Sequence, residues 1–95
     1  KITATKDHAK LRLNFRAGQV FLVMGHSGTT PITIRLSLNG KRLTSFAGKD
    51  VVNGEITITE QRLYHLIQQD SVTEGLLEIE ALSKGLELYA FTFGK

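Results

Sequence analysis

Apolar and polar residues alternate with a period of two along most of this chain. In residues 10–16, Leu11, Leu13 and Phe15 fall on one side and Arg12, Asn14 and Arg16 on the other, the pattern of a half-buried strand. Residues 19–25 are apolar on both parities, Val20, Leu22 and Met24 against Phe21 and Val23, and read as a central strand covered on both faces. Residues 26–31 read as a loop, with Pro31 opening the next strand, where its missing N–H does no harm. Ile32, Ile34, Leu36 and Leu38 then share one face. Asn39-Gly40 follows, a hairpin signal because both residues tolerate positive φ, and residues 41–46 return along it. Residues 47–54 form a polar loop, and residues 55–59 alternate again. Residues 57–69 fit two patterns. Thr57 and Glu60 suit a helix capping box ahead of Leu63, Leu66 and Ile67, while Arg62, Tyr64 and Leu66 alternate with Leu63, His65 and Ile67 as in a strand. Residues 74–82 and 85–94 are expected to form a last antiparallel pair joined through Ser83-Lys84-Gly85. The closing strand places Tyr89, Phe91 and Phe93 two apart and is expected to pack inside the fold. About eight strands at such spacing predict an all-β sandwich or barrel. The predicted core is Leu13, Phe15, Leu22, Ile34, Leu36, Ile58, Leu66, Ile79, Phe91 and Phe93.

Composition narrows the function classes. Ninety-five residues with 41% apolar content make one domain, 1–95, able to bury a core without metal or disulfide support. No apolar run is long enough to span a membrane, so no direct membrane insertion of this domain is expected. The sequence opens on strand-like residues with no signal-peptide pattern, and is read as the C-terminal piece of a longer protein. With no cysteine, these residues carry no thiol chemistry and no sulfur-ligated zinc; that absence does not place the compartment. The net charge of +3 is unevenly spread. Residues 1–49 hold nine Lys/Arg and one acid, and residues 50–95 hold three Lys/Arg and eight acids. A basic half invites a nucleic-acid reading, but early and late strands are neighbours in Greek-key folds, so the two sets are expected to intermix. The basic-plus-exposed-aromatic surface of single-strand binders is missing, and no nucleic acid is expected as a partner.

Candidate chemistry is sparse. His8, His26 and His65 have no metal-ligand spacing, so no metal and no cofactor are expected. Residues 25–29, Gly-His-Ser-Gly-Thr, resemble a nucleophile elbow, but that pattern needs glycine where Thr29 stands and a helix after it. Asn39-Gly40 and Asn53-Gly54 are turns. Glu78 and Glu80 share a strand face and read as solvated. No catalytic residue is assigned, and the domain is expected not to be an enzyme. If a ligand binds, a carbohydrate site is the candidate. Arg12 and Arg35 are planar donors on stiff strands, and Arg62 and Tyr64 share a strand face that offers a third donor and an apolar plate. The competing expectation is that Arg12 and Arg35 pair with Glu78, Glu80 or Glu87 on neighbouring strands.

Three segments carry a family resemblance: Leu11, Leu13, Phe15 and Ala17 followed by Val20, Leu22, Val23 and Gly25; Arg62, Leu63, Tyr64 and Leu66; and Tyr89 through Gly94. Over about residues 9–94 the chain resembles the domain that follows the thioredoxin-like domain in DipZ-type cytochrome c biogenesis and thiol–disulfide interchange proteins. The closing Tyr-Ala-Phe-Thr-Phe-Gly is its most specific part. The resemblance implies a jelly-roll β-sandwich similar to galactose-binding-like and carbohydrate-binding modules, and resolves residues 62–67 as a strand. It implies an extracytoplasmic parent whose redox cysteines lie in the thioredoxin-like domain of the same chain. This domain would then be a non-catalytic accessory module that orients the redox domain or its substrate and binds carbohydrate, or else a scaffold with no small ligand. The longer polar loop over residues 46–54 departs from the family pattern.

Overall fold

The computed structural model describes residues 1–95. Every regular element is a strand, and every pairing between strands is antiparallel: β1 (Ile2–Thr3), β2 (Ala9–His26), β3 (Ile32–Leu38), β4 (Lys41–Arg42), β5 (Glu55–Ile58), β6 (Arg62–Ala81) and β7 (Leu86–Gly94). The hydrogen-bonded order is β1-β7-β2-β6-β3-β4, with β5 also on β3.

Two long strands turn this path into a sandwich. The first half of β2 pairs with the second half of β6, from Ala9–Ala81 to Ala17–Thr73; its second half pairs with the first half of β6, from Gln19–Gln68 to Met24–Arg62. Residues 69–72 of β6 bulge out opposite Gly18, the step at which register breaks. Bulges sharpen twist and bend a strand, so β2 and β6 each serve both layers. One layer is β1, β7 and the adjoining halves of β2 and β6. The other is the remaining halves with β3, β4 and β5. A single cluster of 19 buried apolar residues lies between them, Val20, Leu22, Tyr64 and Leu66 from the first layer and Ile34, Leu36, Ile58 and Ile79 from the second among them.

The strand reading of residues 62–67 holds, and so does the Asn39-Gly40 turn, with φ of 53° and 84°. Other expectations are corrected. Residues 10–16 and 19–25 are one strand, as are the two stretches within 62–81, because a bulge bends the ladder without ending it; seven strands result. Residues 41–46 return along β3 only as far as Leu43: Lys41 and Arg42 pair with Leu38 and Ser37, and Leu43 N–H donates to Leu36 C=O at 3.0 Å. The last two strands do not pair with each other. β6 ends in the second layer, the chain crosses at residues 82–85, and β7 takes the free edge of β2, from Gln19–Gly94 to His26–Leu86. Residues 19–25 are covered on one face only: Val20, Leu22 and Met24 are buried, Phe21 and Val23 half-buried.

The predicted core is right for Phe15, Leu22, Ile34, Leu36, Ile58, Leu66 and Ile79. Leu13 and Phe91 are half-buried and packed against its margin. Phe93 is 47% exposed. Both phenylalanines lie on the core side, opposite buried Leu22 and Val20, but β7 runs along the edge of its layer. The core under β7 is filled instead by Leu86 and Leu88. The register slips at Tyr89, which has no partner on β2, so Tyr89 is exposed.

Candidate functional site

Charges on the outer face of the second layer form stripes. Lys10, Arg12 and Arg16 on β2 stand opposite Glu80, Glu78 and Glu74 on β6; Arg35 on β3 stands opposite both Glu80 and Glu55 of β5. The Arg12 Nε donates to Glu78 Oε1 at 2.8 Å, and Arg35 Nε and Nη2 donate to Glu55 Oε2 at 3.3 and 3.2 Å. His8 Nδ1 lies 2.9 Å from Glu80 Oε2. The basic first half of the chain thus meets the acidic second half strand against strand. The Arg12 and His8 pairs are exposed and the Arg35 pair half-exposed, and each is worth about 0–1 kcal/mol.

Arg62 and Tyr64 sit together at the other end of β6, away from Arg12 and Arg35. The Tyr64 ring is fully buried, and its hydroxyl donates to the Glu60 carbonyl at 2.7 Å. The Arg62 guanidinium lies 3.9 Å from the ring centroid, a close cation–π geometry, and also donates to Asp50 Oδ1 at 3.0 Å. The four residues named from sequence therefore do not converge. The ring that would have offered a sugar its flat face is buried under its own neighbour.

Asp50 is the residue that sequence reasoning missed, since a lone aspartate in a polar loop carries no pattern. Its Oδ2 accepts the His65 backbone N–H at 2.8 Å. Burial pushes its carboxyl up, but the Arg62 and His65 hydrogen bonds and the Arg62 and Lys49 charges outweigh it, holding the pKa below the usual 3.8. On Arg62, the Asp50 hydrogen bond opposes desolvation and raises the pKa. The 44–54 loop is zipped onto β6 beside this latch: Gly48 N–H donates to Leu66 C=O at 2.9 Å, and Gln68 N–H to Phe46 C=O at 2.9 Å.

Three other surface features stand out. Where the N-terminal residues and the 83–85 crossover meet the 27–31 loop, an open cleft of about 660 Å³ is lined by Thr3, Thr5, Ser27 and Thr29, with Asp7 and Lys84. Asp7 Oδ1 accepts the Lys84 backbone N–H at 2.9 Å. Beneath β1, an apolar cavity of about 180 Å³ lies among Ile2, Leu11, Ile79, Leu86 and Leu88. The outer face of the first layer carries Ala90, Val23 and Leu63 in one row and Thr92, Phe21 and His65 in the next. Phe21 and His65 stack with centroids 4.4 Å apart, and Leu63 is 46% exposed.

Fold and surface together define a small antiparallel β-sandwich module whose apolar outer face and aromatic edge are open to contact. The chain belongs to the thioredoxin-like C-terminal domain family, whose profile matches residues 1–94. Comparison with curated proteins returns no match.

Proposed function

We propose that this domain is the non-catalytic C-terminal accessory module of a longer, extracytoplasmic thioredoxin-like protein, where it holds the redox domain or that domain's substrate in position. The observation that carries this reading is the family match over residues 1–94, joined to a cysteine-free sequence that leaves thiol chemistry to another part of the chain. The apolar row of exposed Ala90 and Leu63 with half-buried Val23 between them gives the module a surface for such contact. A tethered contact need not be tight, since short linkers give effective concentrations in the millimolar range. The parent this favours is of the DipZ type, serving cytochrome c biogenesis or thiol–disulfide interchange. Carbohydrate binding is the second reading, and the cleft lined by Ser27 and Thr29 is the feature that favours it.

The test is thiol–disulfide exchange by the longer chain with and without residues 1–95. Deleting the module should slow reduction of a large disulfide-bonded client and leave a small disulfide unaffected. Equal rates on both substrates, or turnover by the purified module alone, would reject the accessory role. An NMR titration with simple and cell-wall sugars decides the second reading by shifts at the cleft.

A further inference from the structure

β7 has one unfinished edge. Its inner side is paired with β2 from Leu86 to Gly94, save at the slip at Tyr89. Its outer side is covered only from Leu86 to Leu88, by β1 and Ala4. Residues 89–94, Tyr-Ala-Phe-Thr-Phe-Gly, therefore lie at the rim of the sheet with no strand beyond them. Exposed edges are usually blunted by a charge, a proline or a bulge; this stretch has no charge and no proline, and its one bulge lies at its start, at Tyr89. Instead it carries two aromatic rings, Phe91 and Phe93, stacked at 6.1 Å between centroids. Alternation along the ladder follows from Gly85 C=O, which faces β2 through Ser27 N–H, and Leu86 C=O, which faces β1 through Ala4 N–H. Carried past the slip at Tyr89, it turns the N–H and C=O of Phe91 and Phe93 outward.

We propose that this edge is completed by the polypeptide that enters the domain at Lys1 in the longer chain, laid down as an extension of β1. The inference rests on the accessory-module reading, which supplies that upstream polypeptide. Direction and register argue for this occupant over any other. β1 already sits on the edge and runs antiparallel to β7, with Ile2 opposite Leu88 and Thr3 opposite Glu87. Moving upstream from Ile2 therefore moves along β7 toward Gly94, with no turn and no new nucleation. Lys1 is held on this line by Glu87, Nζ to Oε2 at 2.9 Å, and its ammonium lies 5.8 Å from the Tyr89 ring centroid.

The register makes the claim specific. With the Tyr89 bulge carried across, the residue directly upstream of Lys1 pairs with Phe91, and the residue two positions further upstream pairs with Phe93. Both point their side chains to the core side, as Ile2 does opposite Leu88, so both are expected to be apolar. About four upstream residues, roughly 14 Å of strand, complete the edge. A preceding domain then emerges beside Phe93 and the Phe21–His65 pair, held by a strand instead of swinging on a free tether.

The test is residue-resolved amide hydrogen exchange on the longer chain, read at Phe91 and Phe93, with Leu22 in the core as the internal reference. Both amides should be slowed, by about tenfold or more relative to an open edge, at dilute and concentrated protein alike. Ile2→Pro, which detaches β1, should release Phe91 and Phe93 and leave Leu22 protected. Free exchange at both positions in the unsubstituted chain overturns the proposal. Protection that appears only at high concentration overturns it too, and assigns the edge to a second copy. A free edge in a protein whose module still supports client reduction sinks this inference alone. A protected edge in a protein indifferent to the module sinks the accessory role alone.

Discussion

Asp50→Ala should be among the costlier single changes at the surface of this domain, and its size follows from what the carboxylate touches. The bond from the His65 N–H, at 2.8 Å, is charge-assisted and partly buried; such bonds contribute about 1.5–3 kcal/mol. The Arg62 pair adds about 0–1 kcal/mol, because Arg62 is 41% exposed and can return to water. The expected loss is about 1.5–4 kcal/mol, and at about 4–8 °C per kcal/mol for a domain of this size the melting temperature should fall by roughly 6–32 °C. Asp50→Asn keeps an acceptor for His65 N–H and should cost about half as much. Arg62→Gln should cost about 1 kcal/mol or less. Acid provides a second check. The folded-state pKa of Asp50 lies below its ordinary 3.8. Its stabilisation is therefore present in full above the unfolded-state value and is lost as pH falls through the lowered folded-state value. The gap between wild type and Asp50→Asn should close below about pH 4. Urea titrations of the three variants measure all of this. If Arg62→Gln costs as much as Asp50→Ala, the ion pair and not the backbone bond latches the loop, and the reasoning is refuted.

Tyr64→Phe removes one hydrogen bond and should cost about 0.5–1.5 kcal/mol, while Tyr64→Ala opens the core and should cost about 3–5 kcal/mol; chemical denaturation that finds the two equal would show the ring is not a core residue. Phe93→Ala should cost less than about 1 kcal/mol and Phe91→Ala about 1–2 kcal/mol, following their unequal burial, and the reverse order in thermal melts would mean the edge is built differently. Gly48→Ala brings a methyl group into the His65 backbone carbonyl, which cannot move aside; overpacking of about 1–3 kcal/mol should appear as a lowered urea midpoint.

The alternation of Leu11, Leu13 and Phe15 and of Ile32, Ile34 and Leu36 made the strands legible, because a period of two reports directly which side is covered. Asn39-Gly40 was legible for the same local reason. Pairing between distant strands was not. Nothing near Ser83-Lys84-Gly85 says that the chain crosses between layers there instead of turning back on itself, since that depends on β2 offering a free edge some sixty residues upstream. The bulge at Tyr89 has no sequence mark either, and it leaves Phe93 on the core side at a rim the opposite layer does not reach. Arg12 and Arg35 were legible as outward-facing residues; of the carboxylates expected to pair with them, Glu78 holds Arg12, while Arg35 is held by Glu55, a partner not among those expected, because β5 lies against β3 as well. The burial of Tyr64 was hidden because alternation gives a residue's side and not the depth of cover above it.

The splitting of β2 and β6 between layers also fixes when the domain can form. The second half of β2 lies between the first half of β6 and β7, with Gln19 opposite both Gln68 and Gly94. Neither layer is a local hairpin that closes early, and loop-closure entropy must be met before most pairings reward it. During synthesis, β2 leaves the ribosome apolar on both parities and waits for partners about fifty and seventy residues behind it. The first layer has its last long strand only once Gly94 has emerged, so the module is committed to folding at the end of its own translation, and until then depends on whatever shields Phe21, Leu22 and Val23 from other chains.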